Sequence, residues 1–355
     1  TALALKGEHL YVATGKGEGT GPNVAPQPEA PHPGPEQTKR PEQEPHTYIA
    51  TMLHGSLATL DLNEVRGHYR QLTTKVLKSN LMYAAQKQIE FRGGGNRIHH
   101  VIYIIKENRT YDQILGDLGV GDGDPSLTMY GESITPNLHV LAKQFGVLDN
   151  FYDSGEVSGD GHVWSTAGIS SDYNERTWQQ AYRGHEREYD FEGLVEGGYP
   201  LLEGIPDIDE PFSGYLWTDF ARNHKTYYHF GEFISTQFCT DQGTPEEAKL
   251  PEEGGTPEGK HFCERPFIHK GDPIPANYGG GMSQYPWNIP LIYRNIATKR
   301  ELEGHFDPQY PDFELSFPDQ LRVNEFLVHF NQWVADRKQG HDTMPQFVML
   351  RLPND

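Results

Sequence analysis

His99-His100-Val101-Ile102-Tyr103-Ile104-Ile105-Lys106-Glu107-Asn108-Arg109-Thr110-Tyr111-Asp112 is the stretch on which the fold turns. A run of β-branched and aromatic residues ends abruptly in a carboxylate, an amide and a guanidinium. The run is nearly continuous in apolar residues instead of alternating, so it predicts a buried strand of a parallel sheet. In open α/β sheets ligands sit beyond the carboxyl ends of the strands, which puts Glu107 and Asn108 where chemistry would be placed. A carboxylate oxygen beside an amide oxygen makes half a site for a divalent cation. The same residues also suit a plain solvated strand exit.

Some fifty residues on comes Asp149-Asn150-Phe151-Tyr152-Asp153-Ser154-Gly155-Glu156-Val157-Ser158-Gly159-Asp160-Gly161-His162-Val163-Trp164-Ser165-Thr166. The pattern predicts a strand over 146–151, a Gly-rich turn and then a helix start. A hydroxyl in such a turn lies near the positive end of the following helix, where backbone N–H groups favour an anion. That suits a phosphate or a serine alkoxide. Ser158 stands four residues before His162, in the pattern Ser-x-x-Gly-His. Ser, Gly and Asp also dominate ordinary surface loops, so this segment alone leaves both readings open.

Together the two segments resemble the phosphoesterase family of phosphatidylcholine-type phospholipases C and a related acid phosphatase, within the alkaline phosphatase superfamily. Val101 to Leu118 matches that family's opening of apolar strand, Glu-Asn-Arg-Ser/Thr-Phe/Tyr-Asp and Gly-containing turn. Thr135-Pro136-Asn137-Leu138 and Leu148-Asp149-Asn150-Phe151-Tyr152 match further, and the resemblance runs over roughly 98–355. It implies an α/β/α sandwich with a mostly parallel sheet. It implies metal-dependent hydrolysis of phosphate esters through a phosphoserine intermediate, with Ser158 as nucleophile, Asn108 at the phosphate, and His162 near the phosphate or supporting the nucleophile loop. Glu107, Asn108, Ser158 and Asp355 would be the metal ligands present. Zinc suits an alkoxide nucleophile, while oxygen-only ligands leave calcium, magnesium or manganese open. Gly159-Asp160 stands where the phospholipases carry Asp-Pro, a departure that bears on a phospholipid substrate more than on the chemistry. The substrate is expected to be a small-molecule or lipid-headgroup phosphate ester. The sulfatase motif Cys/Ser-x-Pro-x-Arg is absent around Ser158.

Composition sets limits around this reading. At 355 residues the chain exceeds one typical core, and 35% hydrophobic with 12% aromatic residues suits a loop-rich globular protein. No apolar run approaches the length of a transmembrane helix, and the first residues do not read as a signal peptide. A net charge of −20 disfavours nucleic acid and tight binding to anionic membranes. Arg109, or a bound metal, would have to offset that field at a phosphate site.

The first part of the chain reads as a separate module. Leu3 to Thr14 predicts strand, tight turn, strand, and His46 to Leu62 predicts a second hairpin beyond a Pro/Gly/Glu-rich insert. Two hairpins make one four-stranded blade, which cannot bury its faces alone. The module resembles the last blade of a β-propeller with Tyr-Val-Ala/Thr-Asn repeats, packed on or beside the catalytic domain. A two-hairpin decoration is the alternative. The expected division is 1–63 propeller, 64–97 connecting helix and linker (Val65, Tyr69, Leu72, Val76, Leu77 and Leu81 at near-helical spacing), and 98–355 phosphoesterase domain.

Near the far end, Leu321, Phe326, Leu327, Phe330, Trp333 and Val334 predict a helix over 319–338 with a packing face. Pro345 to Asp355 then reads as another buried strand with Asp355 at its exit. Family members continue into further His and acidic ligands, so the expectation is a fragment at both ends. Cys239 and Cys263 flank an acidic Gly/Pro-rich insert. Their spacing does not suggest zinc, and they suit either a disulfide, with an oxidising compartment, or two core thiols. With the family's habit, a disulfide would place the protein in the periplasm or outside the cell. His99, His100 and His229 are read as structural. The alternative to an enzyme is an extracytoplasmic binding or scaffold protein with a degenerate phosphatase-like domain.

Overall fold

The computed structural model describes residues 2–15, 17, 54–79, 91, 94–95, 97–151, 154–155, 157–181, 210–241 and 261–354. The chain divides into two compact units, Thr1–Asn96 and Arg97–Asp355. Asp355 and the first strand of the expected second hairpin (46–53) lie outside the described residues, as does 80–90 of the expected helix.

In the first unit, β1 (Ala2–Lys6), β2 (His9–Thr14) and β3 (Ser56–Asp61) form an antiparallel sheet in that order. Gly7, at φ +61, lets the β1–β2 chain reverse within two residues. Helix α1 (Leu62–Ser79) follows β3 directly, and Asp61 accepts the N–H of Asn63 at 2.8 Å. The spacing of Val65, Tyr69, Leu72 and Val76 is helical as expected, yet the helix buries none of its residues among those described.

The second unit is mixed α/β, with a small parallel sheet and antiparallel sheets. Strand β4 (Val101–Lys106) runs out at Glu107 and leads to α2 (Tyr111–Leu115), where Gln113 accepts the Thr110 N–H at 3.0 Å. Helix α3 (Pro136–Phe145) opens on proline, whose missing N–H costs nothing in a first turn. Helix α4 (Ser158–Ala167) ends at Gly168, in the left-handed conformation that glycine tolerates. Helices α5 (Asp172–Ala181) and α6 (Leu216–Arg222) precede strand β5 (Tyr227–Phe230). Next come β6 (Ile234–Thr240), β7 (His261–Phe262), β8 (Phe267–Ile268), β9 (Ile289–Pro290) and β10 (Ile292–Ala297). Strands β10, β6 and β7 form one sheet, and β8 and β9 pair apart. The chain closes with α7 (Asp319–Lys338) and β11 (Phe347–Leu352).

The parallel sheet has the order β4-β11-β5. Alternation along β11 sends its side chains to two cores. Phe347 and Met349 join Val163 of α4, Trp217 of α6, Tyr227 and Phe233. Val348 and Leu350 join Phe230, Tyr310 and Phe326, with Phe330 and Trp333 of α7 against them. The α7 stripe therefore packs as expected, apart from Leu327, which is exposed. Arg351 follows the Phe347–Met349 alternation and lies on the α4 side.

Two expectations fail. The strand over 146–151 does not form: Gly146, at φ +109, caps α3 and turns the chain. Asp149 then accepts the N–H of Asp122 at 2.8 Å and Asn150 reaches the Asp122 carboxylate at 3.2 Å. The polar residues of that segment hold a neighbouring turn instead of extending a ladder, and Leu148 and Phe151 are exposed. Nor is β4 a buried strand among the described residues. It pairs with β11 alone, as an edge, and Val101, Ile102 and Ile104 remain 38–54% exposed.

Candidate active site

Register sets the site. Arg351 of β11 lies beside Ile105 of β4, and Glu107 follows two residues later, just past the strand's carboxyl end. The Arg351 Nε donates to Glu107 Oε1 at 3.0 Å. On the other flank, Phe230 of β5 pairs with Leu350, and a tight turn carries Glu232 back toward Arg351. That turn depends on Gly231 at φ +84, where a Cβ would meet the Pro311 carbonyl at 2.8 Å. Phe233 is also left-handed, at φ +54, an uncommon conformation for a bulky side chain.

Helix α4 closes the arrangement from the sheet's α4 side. His162 Nδ1 lies 2.8 Å from Glu232 Oε1, and its Nε2 lies 3.2 Å from Glu107 Oε2. Arg351 Nε also forms an ion pair with Glu232 Oε2 at 3.5 Å, at the margin of contact. Two carboxylates and two cations thus interlock, with Glu232, Arg351 and His162 at most 5% exposed. Gly155 brings the preceding loop onto the first turn of α4, so close that a Cβ there would sit 2.4 Å from the Gly161 nitrogen.

The charges are fixed by one another. Burial would raise the Glu107 carboxyl, but the His162 hydrogen bond and the Arg351 charge prevail and hold it at about 2. Burial and the Arg351 guanidinium, 3.2 Å from its Nε2, would discharge His162, yet the Glu232 carboxylate and the bond to Glu107 pull it up to about 10. Glu232 is lowered: burial opposes ionisation, and the His162 and Arg351 charges overcome it. The quartet is therefore ionised and neutral in sum near pH 7, the condition under which buried charges are tolerated.

Of the residues expected at the site, the structure brings Glu107 and His162 into contact. Ser158 is the first residue of α4, half-buried, one helical turn before His162 and so on the same helical face. Val157, the residue before that helix start, offers it no side-chain cap. Asn108 is exposed and joined to Glu107 by a cis peptide bond. Asp355 lies outside the described residues. His100 bonds to the Pro345 carbonyl and Asp342, and His229 is buried among aromatic rings with its pKa lowered to about 4 by burial. Both are structural, as read.

Glu232 and Arg351 escaped the sequence reading, although each carried a signal. Glu232 directly follows a strand and a glycine, as Glu107 follows β4. Arg351 interrupts an apolar strand, and a charge there demands a buried partner. A second group was also missed: Asp307, Glu325 and His329 bring a ligand atom each within 4.8 Å of one another, and they could hold a metal ion. Its sequence trace is the i, i+4 pair of acid and histidine on α7.

The Glu107 carboxylate already balances two neighbouring cations, Arg351 at 3.0 Å and His162 at 3.2 Å. It stays ionised, each oxygen spends one lone pair on Arg351 or His162 and keeps another, and the side chain is 11% exposed. Comparison with protein-family models, curated proteins and solved structures gives no match to this chain.

Proposed function

We propose that the chain is a metal-dependent phosphoesterase with an alkaline-phosphatase-like sandwich, its first 63 residues the end of a β-propeller. The observation that carries this reading is the meeting of Glu107 with His162 beside the start of α4, where Ser158 stands one turn away. Ser158 Oγ attacks phosphorus, the ester oxygen leaves with a proton, and phosphate is transferred to serine. Water then hydrolyses the phosphoserine, releasing phosphate and restoring the hydroxyl. Backbone N–H groups at the start of α4 and the Asn108 amide hold phosphoryl oxygens. Glu107, Asn108 and Ser158 would hold a divalent cation, zinc foremost, which would supply Lewis-acid charge to the reaction.

His162 acts in this scheme as a positioning residue: fixed between Glu107 and Glu232, it anchors α4 and sets where Ser158 sits. The substrate is a small-molecule or lipid-headgroup phosphate ester. The bond between Cys239 and Cys263 supports a periplasmic, secreted or cell-surface location, since such bonds persist in oxidising compartments. Incubation with a chromogenic phosphate ester, acid quench and peptide mass spectrometry tests the reading. Phosphate on Ser158 is expected. Turnover with phosphate trapped at another residue, or no turnover with any added divalent metal, would refute it.

A further inference from the structure

The Asp307–Glu325–His329 group lies on the other core of the parallel sheet. Asp307 follows Phe306, which bridges to His229 of β5, and its N–H donates to the His229 carbonyl at 2.9 Å. Glu325 and His329 project from one face of α7. Each carboxylate is oriented by a protein donor on one oxygen. The Gln309 N–H holds Asp307 Oδ1 at 2.6 Å, and the Asn277 amide holds Glu325 Oε2 at 2.5 Å. The remaining oxygens face His329: Asp307 Oδ2 lies 2.6 Å and Glu325 Oε1 3.9 Å from its Nε2. Outer partners that fix the orientation of ligating groups are the usual surroundings of a metal.

Two further observations point to a ligand. Asp307 Oδ2 is buried and, despite the short contact with His329, has no donor aligned to hydrogen-bond it among the described residues. The charge is also uncompensated: Asp307 and Glu325 are 1% and 4% exposed, and His329 is their sole ion-pair partner among the described residues. Arg322, one turn away on α7, is committed to the Phe317, Asp312 and Glu314 carbonyls and to Asp319. Two carboxylates against one imidazole leave negative charge that a divalent cation would offset. His329 is 31% exposed, which gives an ion its way in.

We propose that Asp307, Glu325 and His329 bind a divalent cation of the zinc or manganese class, clamping α7 to the strand segment beside β5. One imidazole nitrogen with two carboxylate oxygens is a donor set such ions accept, with open positions for water. This site is independent of the one at Glu107 and is built to hold structure. The test begins with protein stripped by chelator, then titrated with Zn²⁺ or Mn²⁺ alone, reading bound metal per chain and thermal midpoint. Wild type is expected to gain several degrees on binding. His329→Gln and Asp307→Asn should each lose one equivalent and the thermal response, whereas Glu107→Gln keeps both at this site. Co²⁺ added to wild type provides a check that needs no variant: visible ligand-field bands should show an ion with a nitrogen ligand, unlike an oxygen-only site. Unchanged stoichiometry and thermal response in both His329→Gln and Asp307→Asn would overturn the proposal, as would wild type binding no ion that Glu107→Gln retains.

Discussion

Glu107 and His162, fifty-five residues apart in the chain, meet at 3.2 Å between Oε2 and Nε2. That contact joins the carboxyl end of a parallel strand to the first turns of a helix. It ties the two sequence segments whose patterns suggested chemistry to one place. Arg351 on β11 and Glu232 in the turn after β5 hold the pair, so the arrangement depends on the whole sheet order β4-β11-β5. Moving β11 by a residue would turn Arg351 to the opposite face.

Ser158→Ala should abolish turnover by several orders of magnitude while leaving the thermal midpoint near wild type. A half-buried first-turn hydroxyl carries little packing, and covalent catalysis has no replacement nucleophile. Ser154→Ala is the matched control and should keep most activity. Ser165 and Thr166 are less neutral: their hydroxyls bond the His162 carbonyl at 3.1 and 2.6 Å, and Thr166 is buried. Thr166→Ala should cost about 1 kcal/mol of stability with chemistry largely retained. Steady-state kinetics beside urea unfolding separates the two effects. Full activity in Ser158→Ala would remove it as nucleophile.

The quartet predicts a definite pH profile of stability. Glu107 is lowered from an ordinary 4.5 to about 2, so its contribution is present above about 4.5 and lost as pH falls toward 2. His162 is raised from 6.5 to about 10. Its contribution is therefore complete below 6.5 and eroded as pH rises through 10. The two are complete together between pH 4.5 and 6.5. Urea unfolding should give its highest free energy in that window, declining on both sides. His162→Gln should flatten the alkaline limb. An unchanged alkaline limb in that variant would show that His162 is not charged in the fold.

Much of this architecture was legible because it is written in local periodicity. The apolar run 101–106 became β4, Ser158 began a helix, the 319–338 stripe became α7 and 347–352 became β11. What could not be read was what depends on register and turns. Arg351 reaches Glu107 only because β11 lies beside β4 in one alignment, across 244 residues. Glu232 turns inward only through the left-handed Gly231. The 146–151 run looked like a strand by composition, but Asp149 and Asn150 had nearer partners in the 122 turn. Asp307 and His329 were invisible as a pair because a helix face and a distant loop meet only after the core has formed. The cysteines gave two options by spacing, and the fold selects the bonded one.

Breaking the Cys239–Cys263 bond should lower stability by about 3 kcal/mol in the chain-entropy account, given the 24-residue separation it closes. Intact mass with and without reductant should differ by two hydrogens, and reductant should lower the thermal midpoint. Cys239→Ser with Cys263→Ser should reproduce that lower midpoint and make it insensitive to reductant. A midpoint equal in wild type and the double variant would show that the link adds nothing to the fold.

Arg351→Met is the most severe single test of the quartet. The replacement keeps an apolar stem on the α4 side of the sheet but leaves Glu107 and Glu232 with His162 as their one remaining cation among the described residues. Removing one partner from a buried ionic group typically costs about 3–5 kcal/mol, because a charge is stranded without solvent or pair. The loss should be partly recovered in Arg351→Met with Glu232→Gln, where one positive and one negative charge leave together. Glu232→Gln alone should be destabilising as well, so the double variant should be more stable than the sum of the singles implies. Urea unfolding of all three at pH 6 measures the cycle. Strict additivity would mean that Arg351 and Glu232 do not interact, and that the 3.5 Å approach between them contributes nothing. A favourable coupling with retained phosphate-ester hydrolysis would assign the pair to holding the site's frame. If coupling is favourable but hydrolysis is lost in Arg351→Met alone and restored in the double variant, Arg351 acts through Glu107, keeping that carboxylate where β4 delivers it.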